Sequence, residues 1–206
     1  MTAQAFAAEC IVSRETMARL EIYDKLLAKW NPAINLVAKS TLADVWSRHF
    51  LDSAQIFALA PQKALHWVDL GSGGGFPGLV VAILALEQRP ELRVTLVESD
   101  QRKATFLRTV AREVGAAVIV ESVRVEQLTP QNADILSARA LAPLAQLCGF
   151  AERHLAHSGT GIFLKGANAQ QEIDEALALW RFEVQKTISK TDPSAVILTV
   201  QGIARA

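Results

Sequence analysis

The chain has 206 residues, half of them hydrophobic and a fifth charged, which is typical of a globular protein with one sizeable core. Its 21 basic and 21 acidic residues cancel, which excludes a generally basic nucleic-acid binder, so any RNA-binding surface must be a local patch. No apolar run reaches the roughly 20 residues of a membrane-spanning helix. Cys10 and Cys148 lack metal-ligand spacing. We therefore expect a reduced, cytoplasmic and monomeric protein without a metal or a membrane contact.

Residues 1–62 predict a helical appendage. Apolar residues recur at helical spacing over 13–30, and Pro32 predicts the end of this helix because the residue before proline avoids the helical region. A second helix is predicted over 41–59, with Thr41 as its N-cap.

Residues 63–206 predict one α/β unit in which strands alternate with helices. Such alternation predicts a mostly parallel, Rossmann-like sheet of seven strands with helices on both faces. The last two strands flank a Thr-Asp-Pro turn and predict an antiparallel hairpin, as in class I AdoMet-dependent methyltransferases. The predicted strands are 66–70, 93–98, 117–121, 133–137, 161–165, 182–189 and 195–202, and the predicted helices are 77–87, 101–114, 141–156 and 168–180.

A glycine-rich turn follows the first strand and precedes a helix, an arrangement typical of nucleotide-type cofactor sites. The turn contains G-x-G-x-x-G over 73–78, and Glu98 follows at the next strand end, where a carboxylate can accept from ribose hydroxyls. NAD(P) and S-adenosylmethionine (AdoMet) both suit this pattern. Asp69 would repel a pyrophosphate, and Pro77 lacks an N–H donor, so these two residues favour AdoMet. Asp69 alternatively anchors the turn by accepting from its amides.

Several motifs then coincide in order with one family. They are Lys29-Trp30-Asn31, Ile34-Asn35-Leu36, Arg48-His49-Phe50-Leu51-Asp52-Ser53, Val68 to Gly78, Glu98-Ser99, Phe106-Leu107, Arg124-Val125-Glu126, Ser137-Ala138-Arg139-Ala140 and Leu164-Lys165-Gly166. With these motifs the chain resembles the RsmG (GidB) family, bacterial methyltransferases that modify guanine N7 in 16S rRNA. Val37 and the order Arg102-Lys103 depart from the family pattern.

The resemblance implies AdoMet as cofactor, 16S rRNA or the small ribosomal subunit as partner, and a set of cofactor contacts. Residue by residue, the family's contacts fall on Gly71, Phe76, Val125, Glu126 and Arg139. Together with the glycine turn and the ribose acid, the predicted cofactor-binding residues are Asp69, Gly71, Gly73, Gly75, Phe76, Gly78, Glu98, Val125, Glu126 and Arg139.

Guanine N7 attacks a methyl group without losing a proton, so we expect no general base and a reaction accelerated mainly by alignment. Arg139 and Lys165 follow the fourth and fifth strands, at the edge where open α/β sheets bind ligands, and are the predicted catalytic residues. Arg139 is alternatively a helix-capping arginine, and Lys165 a surface lysine with a buried stem.

The predicted RNA-binding residues are Arg48, His49, Arg102, Lys103 and Lys165. For His49 and its neighbours the alternative is a hydrogen-bonded patch that docks the appendage onto the sheet, and for Arg102 and Lys103 it is a solvated helix face. Two other functions remain open at this point: an NAD(P)-dependent oxidoreductase and a non-catalytic RNA-binding module.

Overall fold

The computed structural model describes all 206 residues, Met1–Ala206, and is built around one sheet. Its strands are β1 (His66–Leu70), β2 (Arg93–Val97), β3 (Val118–Glu121), β4 (Ala133–Arg139), β5 (Leu155–Lys165), β6 (Trp180–Ile188) and β7 (Val196–Arg205). Their order is β3-β2-β1-β4-β5-β7-β6, in which β1 to β5 are parallel and β7 is antiparallel to both neighbours. The predicted α/β class and the terminal hairpin are confirmed.

Seven α-helices accompany the sheet. They are α1 (Ala3–Cys10), α2 (Arg14–Ile34), α3 (Asp52–Leu59), α4 (Gly78–Gln88), α5 (Gln101–Val114), α6 (Leu144–His154) and α7 (Ala169–Leu177). Trp67 and Val68, adjacent on β1, belong to two different hydrophobic clusters, because successive side chains of a strand point to opposite faces. One cluster contains residues of α1 to α5 and the other contains residues of α6 and α7, so both faces of the sheet are covered.

The helices before the sheet pack into the same cluster as α4 and α5. Phe6 of α1 and Tyr23 of α2 are completely buried there. A boundary that separates an appendage of residues 1–62 from a methyltransferase domain of 63–206 stays a prediction. No helix of the chain has the length and apolar character that crossing a membrane requires.

The helix expected to stop before Pro32 continues through it. Helix α2 ends at Ile34, and Asn35 follows in the left-handed conformation at φ 47°, with its N–H donating to the Asn31 carbonyl. Pro32 lies in the last turn, where its missing N–H costs one hydrogen bond and no further turn has to be built on it.

The helix predicted over 41–59 is three segments of different geometry. A 3-10 helix covers Lys39–Asp44, a π-helix covers Trp46–Leu51, and α3 follows. Thr41 is not an N-cap: it lies inside the 3-10 segment, and its Oγ1 donates to the Ala38 carbonyl at 2.7 Å. The π-helix contains Arg48 and His49, in keeping with the tendency of π turns to occur at functional sites.

Candidate cofactor and substrate site

The parallel strands bring the predicted site residues to one edge of the sheet. Leu70, Val97, Arg139 and Lys165 are the last residues of β1, β2, β4 and β5. In open α/β sheets, ligands bind outside these carboxyl ends. The glycine turn after β1 therefore lies beside the segments that follow β2 and β4.

Four backbone amides of the glycine turn already donate to protein acceptors. Gly73 N–H donates to Glu98 Oε2 at 2.9 Å, and Gly78 N–H donates to Asp69 Oδ2 at 3.1 Å. The amides of Ser72 and Gly75 donate to backbone carbonyls. A pyrophosphate needs several free N–H groups at such a turn. The geometry therefore disfavours the NAD(P) alternative and leaves room for a cofactor without phosphate.

Asp69 is the anchor of this turn. Its side chain is completely buried, Oδ1 accepts from Ser137 Oγ at 2.7 Å, and Oδ2 accepts from the Gly78 amide at the N-terminus of α4. Burial raises the pKa of the carboxyl group to about 6, against the lowering effect of these hydrogen bonds. These bonds form the anchor that the alternative describes, and a contact of Asp69 with the cofactor stays a prediction.

Two of the predicted glycines are required by close packing around the turn. A Cβ on Gly78 would clash with Leu96 Cδ2 and lie 2.7 Å from Asp69 Oδ2. Gly75 has φ 94°, and a Cβ there would lie 2.5 Å from the Tyr23 hydroxyl. Both glycines thus serve the fold of the turn, and neither lines the cleft described next.

Phe76 lies in the core. Its side chain is 4% exposed and stacks on Tyr23, with ring centroids 5.1 Å apart. His49 and the Arg139 guanidinium lie 5.0 and 5.2 Å from the Phe76 ring centroid. Its ring fills the space between the N-terminal helices and the turn, and a contact of Phe76 with the cofactor stays a prediction.

A first cleft of about 370 Å³ opens between the glycine turn and the segments after β2 and β3. Among the predicted cofactor residues, Gly71, Gly73, Glu98, Val125 and Glu126 line it. Its size falls in the range of small-molecule sites, roughly 300–1,000 Å³. The structure thus brings these five predicted residues together around one cavity.

Glu98 keeps acceptor capacity on the side of the first cleft. Oε1 accepts from Asp100 N–H at 2.7 Å and Oε2 from Gly73 N–H. A carboxylate offers about four acceptor positions, so two are left for a pair of hydroxyls such as those of a ribose.

The remaining walls of the first cleft suit an adenine. Val97, Val123 and Phe150 give apolar contact surface, and the 3-10 turn Val125–Gln127 brings backbone polar groups and the Glu126 carboxylate to the rim. The residues present therefore fit AdoMet.

A second cleft of about 530 Å³ adjoins the first. Residues Ala140, Leu141 and Ala142 line both clefts, and Ala140 has φ 53°, a strained value for a residue with a Cβ. Leu141 stands over Gly71, where a Cβ would lie 2.6 Å from Leu141 Cδ1. The loop 140–142 is thus the partition between the two clefts.

Arg139 joins the N-terminal helices to the end of β4. Its Nη1 donates to the Arg48 carbonyl at 3.2 Å and to Asp52 Oδ2 at 3.3 Å, and its Nη2 donates to His49 Nδ1 at 2.9 Å. The Arg139 side chain is 18% exposed and lines the second cleft, not the first. It does not cap the helix that follows, whose N-cap is Pro143, and its contact with the cofactor stays a prediction.

His49 is held neutral in one tautomer by these contacts. Nδ1 accepts from Arg139, so Nε2 carries the proton and donates to Thr41 Oγ1 at 2.8 Å. Burial and the charges of Arg139 and Arg48 lower the pKa of His49 to about 3. The residue is buried in contacts that agree with the alternative of a docking patch, and its contact with RNA stays a prediction.

Lys165 is neither a surface lysine nor a free cation. Its Nζ donates to the Ala142 carbonyl at 2.7 Å and to Glu172 Oε2 at 2.6 Å, and its side chain is 8% exposed. The charge is therefore paired with Glu172, and the predicted catalytic and RNA contacts of Lys165 stay predictions. The pair fastens the partition loop to α7.

The other predicted RNA-binding side chains lie on the surface around the clefts. Arg48 is 48% exposed and pairs with Asp192 at 3.3 Å on the rim of the second cleft, and Arg102 is 70% exposed. Lys103 lines the first cleft. Their contact with RNA stays a prediction.

Sequence analysis missed the side-chain partners of three site residues. Ser137 supports Asp69, Asp52 pairs with Arg139, and Glu172 pairs with Lys165. Their partners are 68, 87 and 7 positions away in the chain. Only the pair of Lys165 and Glu172 is close in the chain, since Lys165 ends β5 and Glu172 lies in the first turn of α7.

The family model described as rRNA small subunit methyltransferase G (GidB) matches residues 16–195. The chain is 54% identical over 197 residues to a ribosomal RNA small subunit methyltransferase G from Ruegeria sp. (strain TM1040), with 96% of each chain covered. It is 55% identical to the protein of the same name from Ruegeria pomeroyi, covering 94% of this chain and 95% of the relative.

Solved structures are similar in fold. A ribosomal protein L11 methylase from Lactobacillus delbrueckii subsp. bulgaricus has a TM-score of 0.58 at 20% identity, covering 75% of this chain and 76% of its own. M. jannaschii TYW2, determined in complex with AdoMet, has a TM-score of 0.52 at 15% identity, covering 78% and 76%. At these identities the similarity concerns the fold.

Proposed function

The chain belongs to the rRNA small subunit methyltransferase G (GidB) family, and we propose that it methylates N7 of one specific guanine in 16S rRNA. It is an AdoMet-dependent methyltransferase. The observation that carries the proposal for its substrate is the pair of adjoining clefts that meet at Ala140–Ala142. We propose further that the protein acts in the cytoplasm, as a monomer, on this RNA or on the small subunit.

The first cleft is the proposed AdoMet site. Glu98 would accept from the ribose hydroxyls, the 125–126 turn would border the adenine, and Gly71 and Gly73 would leave room for the rest of the molecule. When bound, AdoMet supplies an electrophilic methyl group on a sulfonium sulfur. The partition loop 140–142 would then lie between this methyl group and the second cleft.

The second cleft is the proposed site of the target guanine. Its wall includes the ends of β4 and β5, the turn between β6 and β7, and Glu172 of α7, and its volume of about 530 Å³ is large enough for a base. Holding the base and the cofactor in adjoining clefts fixes the line of approach, and such alignment is worth a large part of a reaction barrier.

Methylation of guanine N7 requires no proton acceptor, and the hydrogen bonding of the titratable residues in the site agrees with this. N7 attacks in line with its lone pair and no proton has to leave it, so a general base has no task. His49 has both ring nitrogens in hydrogen bonds and a pKa of about 3, and Asp69 is enclosed behind the turn. The carboxylates that line the second cleft, Asp52, Asp192 and Glu172, are each paired with a cation and are not isolated bases.

Purified protein and labelled AdoMet test the proposal on small ribosomal subunits, and on 16S rRNA extracted from them, from cells that lack this methyl mark. We expect transfer of label to the RNA. Binding of AdoMet by calorimetry without any transfer to either substrate would overturn the substrate assignment. Binding of NAD(P) in place of AdoMet would overturn the cofactor.

A further inference from the structure

Glu172 has one carboxylate oxygen engaged in hydrogen bonds and one that accepts none from the protein. Oε2 accepts from Lys165 Nζ at 2.6 Å and from Leu144 N–H at 2.8 Å, whereas no protein donor lies within hydrogen-bond distance of Oε1. The side chain is 24% exposed and lines the second cleft. A carboxylate that is fixed on one side and open on the other is a preorganised acceptor.

The position of Glu172 relates it directly to the partition between the clefts. Lys165, its ion-pair partner, also donates to the carbonyl of Ala142, a residue that lines both clefts. Leu144, whose amide Glu172 accepts from, begins α6 two residues later. Glu172 therefore lies in the wall of the second cleft beside the point where that cleft meets the proposed AdoMet site.

We propose that Glu172 is the residue that selects guanine, its Oε1 accepting hydrogen bonds from N1–H and the N2 amino group while N7 faces the first cleft. This inference rests on the proposed function. N1 and N2 belong to the Watson–Crick edge of guanine, and N7 belongs to the other edge. A base held by Glu172 at its Watson–Crick edge therefore directs N7 away from the carboxylate, towards the partition.

The chemistry of the two purines supports a carboxylate in this role. Guanine presents two adjacent donors on this edge, and a carboxylate accepts hydrogen bonds only. Adenine presents the lone pair of N1 at the same place, so it would face Oε1 without a proton between them. Binding of adenine would therefore leave two hydrogen-bond acceptors facing each other. Polar groups left unpaired in this way allow a site to reject the wrong ligand by a large factor.

The same contact favours the transition state over the ground state. As N7 gains the methyl group, positive charge spreads over the ring and makes N1–H and the N2 amino group stronger donors. Their hydrogen bonds to Glu172 therefore strengthen while the reaction proceeds, and no proton leaves the base. We expect removal of the carboxylate charge to lower kcat as well as raise KM.

The experiment compares guanosine with inosine at the target position of a ligated 16S rRNA, since inosine lacks only the N2 amino group. We expect wild-type kcat/KM to fall about 10- to 100-fold on inosine, the range for a hydrogen bond to a charged group. In Glu172→Gln, kcat/KM on guanosine falls by a similar factor, and the guanosine-to-inosine ratio shrinks towards one. The matched control is Glu175→Gln on the same helix, where Glu175 accepts from Gln171 on the solvent side.

Two outcomes would overturn the inference. One is equal wild-type activity on guanosine and inosine, which needs no variant and no assumption about folding. The other is a Glu172→Gln enzyme that loses activity on both substrates by the same factor, which describes a residue that only supports the loop. Failure of the proposed function is distinct, because wild-type enzyme would then transfer no methyl group to the guanosine RNA.

Discussion

The guanidinium of Arg139, at the end of β4, donates a hydrogen bond to Nδ1 of His49 at 2.9 Å. His49 lies 90 positions earlier in the chain, in the π-helix, so this contact joins the N-terminal helices to the catalytic edge of the sheet. Because His49 accepts from a cation, it must be neutral for the contact to exist. The hydrogen bond between β4 and the π-helix is therefore lost when His49 takes up a proton at low pH.

The first prediction concerns His49→Gln. The folded-state pKa of about 3 lies below the ordinary value of 6.5, so the unfolded state gains a proton as the pH falls below 6.5 and wild type loses stability. At pH 5 we expect roughly 2 kcal/mol of this loss, which the variant does not show. Denaturant unfolding at pH 7.5 and pH 5 measures the difference.

Comparison with the variant also cancels the contribution of Asp69, whose raised pKa acts in the opposite direction between about pH 4 and pH 6. His157→Gln, at an exposed position, is the control and should follow wild type. An identical pH dependence of stability in wild type and His49→Gln would contradict the neutral, hydrogen-bonded state of His49.

The second prediction concerns Arg139→Met. This change leaves Asp52 and the acceptor atom of His49 half-buried without their donor, and we expect a loss of about 2–3 kcal/mol in the free energy of unfolding. Arg48→Met breaks an exposed pair and should cost less than about 1 kcal/mol. Urea titration of both variants gives the comparison, and equal losses would show that the buried network adds nothing.

The third prediction concerns Gly78→Ala. The new Cβ would meet Leu96 and the buried Asp69 carboxylate at the start of α4, so we expect a loss of about 1–3 kcal/mol together with weaker AdoMet binding. Gly166→Ala is the matched control, because no atom lies within 4 Å of its added Cβ. Thermal unfolding of the two variants separates them, and an undamaged Gly78→Ala protein would refute the packing described here.

The fourth prediction concerns Glu98→Gln. A neutral amide accepts more weakly from ribose hydroxyls and from the Gly73 amide, so we expect the Kd for AdoMet to rise about tenfold or more. Glu113→Gln, on the exposed end of α5, should keep the wild-type Kd. Calorimetric titration measures both, and an unchanged Kd in Glu98→Gln would remove this residue from the cofactor site.

Local patterns predicted the sheet, the glycine turn and Glu98, because strand periodicity, backbone freedom and strand-end position all act over a few residues. They did not predict the partners of Arg139 and Lys165. Asp52 and His49 reach Arg139 only because the 3-10 and π segments turn them towards β4, and the sequence of that region reads as one regular helix. Charge alone made Lys165 resemble a phosphate ligand, whereas Glu172 neutralises it.

The role of Asp69 shows the same limit. Its position before the glycine turn agrees equally with a ligand contact and with an anchor, and only the burial and the two hydrogen bonds to Gly78 and Ser137 decide for the anchor. The preference for AdoMet is nevertheless confirmed by the family to which the chain belongs, and it agrees with an anchor that occupies the Gly78 amide, a possible phosphate donor.

The most direct test of the central claim is to locate the methyl group after the reaction. Wild-type enzyme is incubated with AdoMet and unmethylated small subunits, and the 16S rRNA is then digested and analysed by mass spectrometry, with borohydride and aniline cleavage to detect 7-methylguanosine. We expect one new methyl group, at N7 of a single guanine. Methylation at another atom, or on another base, would contradict it.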